Sequence, residues 1–217
     1  MAQDWIEDLP VAIASIEYRL PPEHPHPAPV DDCLTALRWI YAHCEELGAD
    51  PDRLILAGVS AGGGLAAATA LANADRDRVP LRGLVLNAPM LDDRCSSGSM
   101  RGLAGVGIVE RVTCLTGWNA LLEGRAGASD TSAYAAPGRA ADPSRLPPTY
   151  LDIGSVDTFR DETVAFATRM WEVGGDAELH VWPGGFHGFE GAVPTAPLSE
   201  AARVARRRWL SRIAGLG

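Results

Sequence analysis

The chain has 217 residues, 47% hydrophobic and 22% charged, the proportions of one soluble globular domain rather than of a disordered, collagen-like or coiled-coil chain. Its 19 basic residues are all arginine, which excludes chemistry that needs an ammonium: a Schiff base, a P-loop or kinase-type lysine, a Ser-Lys dyad. A formal net charge of −9 argues against sequence-independent binding to nucleic acid.

In chain order, Val11 to Ile16 is a short β-branched apolar run and reads as a strand. Pro21, Pro22, Pro25, Pro27 and Pro29 then forbid regular structure. Asp31 is placed to cap a helix whose apolar positions Leu34, Leu37, Ile40, Tyr41, Cys44 and Leu47 keep the helical period, with Gly48 as its left-handed C-cap. Leu54 to Val59 is a continuous apolar strand of the kind buried on both faces of a parallel sheet. Ala61 to Ala74 reads as a small-residue helix, and Leu84 to Leu86 as the centre of another strand. The uncharged stretch from Leu54 to Ala74 is broken by glycines at its centre, so it is read as strand plus helix and not as a membrane span. From Leu91 to Pro148 the pattern weakens into a cap-like excursion, with a short helix around Trp118 to Leu122. Regularity returns in a strand at Thr149 to Ile153, a helix from Arg160 to Val173, a strand at Ala177 to Trp182 and a closing helix from Leu198 to Ile213. The arginines at 203, 206, 207, 208 and 212 are read as a solvated face of that helix. Alternating strands and helices predict one α/β domain over residues 1–217 with a mostly parallel sheet.

Cys33, Cys44, Cys95 and Cys114 include no Cys-x-x-Cys pair and read as reduced, mostly buried thiols. The N-terminus shows no basic segment followed by an apolar one, so a cytoplasmic chain is expected. Metal chemistry has no support, because there is no His-Glu-x-x-His and His24 with His26 is a poor ligand set. Asp31/Asp32 and Asp92/Asp93 read as helix-start and turn residues.

The strongest signal is Gly58-Val59-Ser60-Ala61-Gly62, a G-x-S-x-G between a predicted strand and a predicted helix. Such a turn lifts a serine hydroxyl above the sheet, and the helix that follows aims free N–H groups and its positive end at the site. A serine nucleophile needs a base and an orienting acid. His187 lies in Pro183 to Phe189, a glycine-rich loop expected just past the last strand, where catalytic groups collect in such sheets. His24 and His26 fall in the proline-rich segment, His43 in a helix and His180 in a strand. Asp157 follows the strand at Thr149 to Ile153, whereas Asp152 lies within it and Asp161 and Glu162 open a helix. Ser60, Asp157 and His187 are therefore the candidate catalytic residues, and the Ala61 backbone N–H is the candidate oxyanion donor.

The chain resembles the hormone-sensitive-lipase-like group of α/β-hydrolase esterases. The resemblance rests on Glu17-Tyr18-Arg19-Leu20-Pro21-Pro22-Glu23-His24-Pro25, Gly58 to Gly64, Pro89-Met90-Leu91-Asp92-Asp93-Arg94, Gly154-Ser155-Val156-Asp157 with Arg160-Asp161-Glu162, and Gly185-Phe186-His187-Gly188-Phe189. It implies an α/β-hydrolase fold, hydrolysis of short-chain carboxylic esters, no cofactor, and the same Ser60, Asp157 and His187. The family also carries a His-Gly-Gly-Gly oxyanion motif ahead of the first strand seen here, and the resemblance places Met1 inside a helix that follows that motif. Ala61 is then the one identifiable oxyanion donor, and Val11 to Ile16 lacks its usual neighbour strand. The expected partner is a small ester, with a homodimer as an allowed assembly. Two alternatives stay open: amide or peptide hydrolysis by the same three residues, and an impaired hydrolase that binds a ligand or partner.

Overall fold

The computed structural model describes residues 9–216; the helix expected around Met1 lies outside them. Among the described residues four parallel strands form one sheet in the order β1 (Ile55–Val59), β2 (Gly83–Asn87), β3 (Thr149–Val156) and β4 (Ala177–Phe186). Side chains alternate across this sheet. Leu84, Leu86 and Leu151 face one side, where they pack with Ala66, Ala67 and Ala70 of helix α2 (Ala61–Asp75) and with Phe166, Ala167 and Met170 of α5 (Arg160–Glu172). Val85 and Tyr150 face the other side and meet Trp209 and Leu210 of α7 (Pro197–Ala214). Helix α1 (Ala28–Ala42) packs Val30 and Leu34 against Ala68 and Ala72 of α2. The excursion between β2 and β3 holds α3 (Gly98–Gly102) and α4 (Arg111–Leu121). Its Cys95, Met100, Cys114 and Trp118 bury against Ile153 and Phe159. A short helix α6 (Phe189–Ala192) follows β4.

Several local expectations are corrected. Val11 to Ile16 forms no strand: among the described residues β1 pairs only with β2, so the segment has no ladder to join. Among the described residues β1 therefore lies at the edge of the sheet; nor is it buried on both faces, since Ala57 is exposed and Val59 is 39% exposed. Asp31 is not the cap of α1. That helix begins at Ala28 with Pro29 in its first turn, where the missing N–H costs nothing, and Asp31 instead sits near its positive end. It closes at Ala42, and Gly48 (φ 65°) ends a separate turn. The helix around Trp118 begins earlier, at Arg111. The segment at 183–186 is not a loop, because β4 continues to Phe186. All four cysteines are free and buried, and burial pushes the Cys95 and Cys114 thiols up to about 12. No described helix is long and apolar enough to cross a membrane.

Candidate active site

Ser60 occupies the turn from β1 into α2 with φ 55° and ψ −122°, a strained conformation for a residue with a Cβ. Its neighbours hold it there. The Ser60 N–H donates to the Asn87 carbonyl at 2.9 Å, and the Ser60 carbonyl accepts from Met90 N–H at 3.0 Å. The flanking glycines permit the close approach that the turn demands. A Cβ on Gly58 would lie 2.0 Å from the Gly62 carbonyl oxygen, and one on Gly64 would lie 2.1 Å from that of Met90. Ala61, exposed, takes the first position of α2, where a backbone N–H has no acceptor within the helix.

Asp157 follows β3 directly, and its side chain is fully buried. Its Oδ1 accepts from Phe159 N–H at 2.9 Å, and its Oδ2 lies 2.9 Å from His187 Nδ1. The β3–β4 pairing is irregular at Gly154 to Val156, where Ser155 Oγ accepts from Gly184 N–H at 2.8 Å. That irregularity couples the two strand ends that lead to Asp157 and His187. His187 follows β4 directly, and the left-handed Gly188 (φ 72°) then turns the chain into α6. Phe159 sets its ring edge-to-face against the imidazole at 5.4 Å. His187 Nε2 lies 3.0 Å from Ser60 Oγ. The three predicted residues are thus joined in one line, Ser60–His187–Asp157. Chemically, the line offers a hydroxyl beside an imidazole that can take its proton, and a buried carboxylate that can hold the opposite ring nitrogen.

The other histidines stand apart from this line. His43 Nδ1 bonds the Trp39 carbonyl at 2.8 Å, and His180 stacks on Trp182 and bonds Glu178. His26 lines an apolar cavity of about 290 Å³ that opens beside the first turn of α2. Ala61, Gly64, Leu65 and Ala68 form one wall, and Gly117, Trp118 and Leu121 of the excursion face them. Burial holds the His26 pKa below the usual imidazole value, so the ring is neutral at pH 7. Among the described residues no group of three or more His, Cys, Asp or Glu side chains could hold a metal ion.

Several supporting residues escaped the sequence reading. Glu162 opens α5 but is buried, and its Oε1 accepts from Leu91 N–H at 2.7 Å and from Asp92 N–H at 3.3 Å. Burial pushes its pKa well above the usual carboxylate value. Asp92 acts as the expected turn residue toward Arg94, whereas Asp93 is fully buried against Arg139, Gly127 and Thr131. Arg206 is the largest departure. Instead of lying on a solvated helix face, it is 1% exposed and pairs with Asp152 and Glu190. Burial works against its charge, but the two carboxylates outweigh burial and hold its pKa above the usual arginine value. No local pattern marks these residues, since each is buried by elements distant in sequence.

Residues 2–191 match the family model described as alpha/beta hydrolase fold. Esterase LipI of Mycobacterium tuberculosis is 32% identical over 189 residues, which cover 85% of this chain and 58% of that protein. A 63-residue stretch is 44% identical to the hormone-sensitive lipase of Mus musculus, covering 29% of this chain and 8% of that one. Among solved structures, a bacterial heroin esterase superposes with a TM-score of 0.88 at 42% identity, over 91% of this chain and 63% of that one. The chain thus spans about three-fifths of the length of LipI and of the heroin esterase. With the family model spanning most of its length, the chain belongs to the alpha/beta hydrolase family, in the hormone-sensitive-lipase-like group.

Proposed function

We propose that the chain is a carboxylic-ester hydrolase acting on short-chain acyl esters through Ser60, His187 and Asp157. The observation that carries this reading is Ser60 Oγ on a strained turn, 3.0 Å from His187 Nε2, with His187 Nδ1 2.9 Å from the buried Asp157. His187 takes the Ser60 proton as Oγ attacks the acyl carbonyl, then donates it to the leaving alcohol. Asp157 holds the tautomer that leaves Nε2 free to accept and stabilises the imidazolium. Water, activated by the same imidazole, releases the acid from the acyl-enzyme. The Ala61 N–H donates to the developing oxyanion. The esterase names of relatives such as LipI and the heroin esterase support ester hydrolysis as the class of reaction.

The domain reading is one unit over residues 1–217, with residues 91–148 as a cap whose Trp118 and Leu121 wall the apolar cavity beside α2. That cavity takes the acyl chain. A reducing, cytoplasmic setting fits the four free cysteines.

The test is hydrolysis of p-nitrophenyl butyrate by this chain and by its Ser60→Ala variant, with fluorophosphonate labelling of both. Ser60-dependent turnover and labelling are expected. Equal turnover by the two would remove Ser60 from the mechanism. Absence of both turnover and labelling in folded protein would favour a ligand-binding role.

A further inference from the structure

A buried charge cluster lies behind the candidate site and joins the elements that carry it. Arg206 of α7 donates from Nη2 to Asp152 Oδ2 at 2.5 Å and to Glu190 Oε1 at 2.6 Å, and from Nη1 to Glu190 Oε2 at 3.1 Å. Asn87 completes it, its Nδ2 donating to Asp152 Oδ1 at 2.8 Å and to Glu190 Oε1 at 3.1 Å. Each partner either bonds a member of the Ser60–His187–Asp157 line or lies on an element adjoining one. The Asn87 carbonyl holds the Ser60 N–H at 2.9 Å. Asp152 is on β3, the strand that leads directly into Asp157, and Glu190 is on α6, which begins just past His187.

Burying a guanidinium and two carboxylates is costly, and the cluster leaves one excess negative charge. Arg206 Nε, buried, has no hydrogen-bond partner among the described residues. A cluster selected only to glue α7 to the sheet could be replaced by apolar packing at no loss. A cluster that fixes the relative position of β2, β3 and α6 needs directional bonds, which a planar guanidinium fork supplies.

We propose that Arg206 is a positioning residue: through Glu190 and Asn87 it holds α6, and with it His187, in register with Ser60. Arg206 touches no reacting atom. The proposal rests on the esterase reading for its kinetic consequence but not for its geometric one.

The test uses the full chain and three variants: Glu190→Gln, Arg206→Met and Arg208→Met. Glu190→Gln keeps the shape and leaves Arg206 balanced by Asp152, so it remains informative if Arg206→Met does not fold. Arg208 is an exposed arginine on the same helix and controls for helix charge. Two readouts are taken on each folded variant: kcat and KM for p-nitrophenyl butyrate, and the low-field Nδ1–H proton resonance of His187 by NMR. The expected result for Glu190→Gln is a loss of about tenfold to a hundredfold in kcat, with KM nearly unchanged and a displaced or broadened His187 resonance. Arg208→Met should match the native chain in both. If Arg206→Met folds, the double variant with Glu190→Gln should be no worse than the more impaired single one. A folded Glu190→Gln protein with native kcat and a native His187 resonance would overturn the proposal. If the native chain itself shows no Ser60-dependent turnover, the esterase reading fails, and the His187 resonance alone decides the positioning role by the same criterion.

Discussion

Replacing Asp157 with Asn probes the candidate line at its least accessible point. The native carboxylate accepts two bonds at once, from Phe159 N–H at 2.9 Å and from His187 Nδ1 at 2.9 Å. Both neighbours present donors when His187 carries its proton on Nδ1. An amide of the same size offers one oxygen and one NH2 group. If its oxygen stays with Phe159, its NH2 faces His187 Nδ1 and forces the proton to Nε2. That nitrogen lies 3.0 Å from Ser60 Oγ and would then donate to the hydroxyl rather than accept its proton. If the amide flips, NH2 meets the Phe159 N–H and a buried donor is stranded. The first arrangement is the better one, so the variant should fold and lose its base. Wrong-tautomer loss in a Ser-His-Asp site is on the order of 10⁴-fold in kcat, or about 5 kcal/mol at roughly 1.36 kcal/mol per tenfold. The assay is kcat/KM for p-nitrophenyl butyrate against the native chain, with near-UV circular dichroism to establish the fold. A folded variant within about tenfold of native activity would refute the reasoning, since Asp157 would then not control the His187 tautomer.

Two further outcomes follow from the surroundings of the site. Gly117→Leu should shift the chain-length preference toward acetate and away from butyrate and longer esters, read from kcat/KM across a p-nitrophenyl ester series. Gly117 lines the cavity, a Cβ there meets only Met90 Cε at 3.9 Å, and Leu is a better helix former than Gly, so the helix is not weakened; an unchanged profile would detach the cavity from the acyl chain. Glu162 titrates above its usual value of 4.5 because burial disfavours its charged form. A raised folded-state pKa means that the neutral carboxyl's stabilisation is complete below pH 4.5 and is lost as pH rises through the folded-state value. The difference in urea-unfolding free energy, Glu162→Gln minus native, should therefore grow from pH 4.5 toward pH 8, and a difference independent of pH would show that Glu162 is not desolvated as described.

Much of the site was legible because its signals are local. The turn at Ser60 must be glycine-flanked for steric reasons that operate within a few residues, as the 2.0 Å approach at Gly58 makes plain. Likewise Asp157 and His187 were found as polar residues just past apolar strands, a position that the strand pattern marks without knowledge of packing. The elements themselves follow from short-range periodicity, so β2, α2, α5 and α7 agree with expectation to within a few residues. Strand β4 ran longer because its glycine-rich end pairs with the irregular end of β3, a partner the local pattern cannot see. The same limit explains Val11 to Ile16: a β-branched run becomes a strand only if a neighbouring strand takes its backbone groups, and no described strand pairs with it. Arg206 carries the point furthest. Its sequence surroundings are four other arginines, which spell a wet helix face, yet Asp152 and Glu190 wait for it on elements that reach it only through the closed fold. The chain's local pattern thus marks the glycine-flanked turn at Ser60, the positions of Asp157 and His187 just past their strands, and the α/β layering, because each depends on nearest neighbours along the chain. Which charges are buried, which described strands pair and where the cavity opens emerge only in the folded chain, because those depend on what the fold brings across from far away.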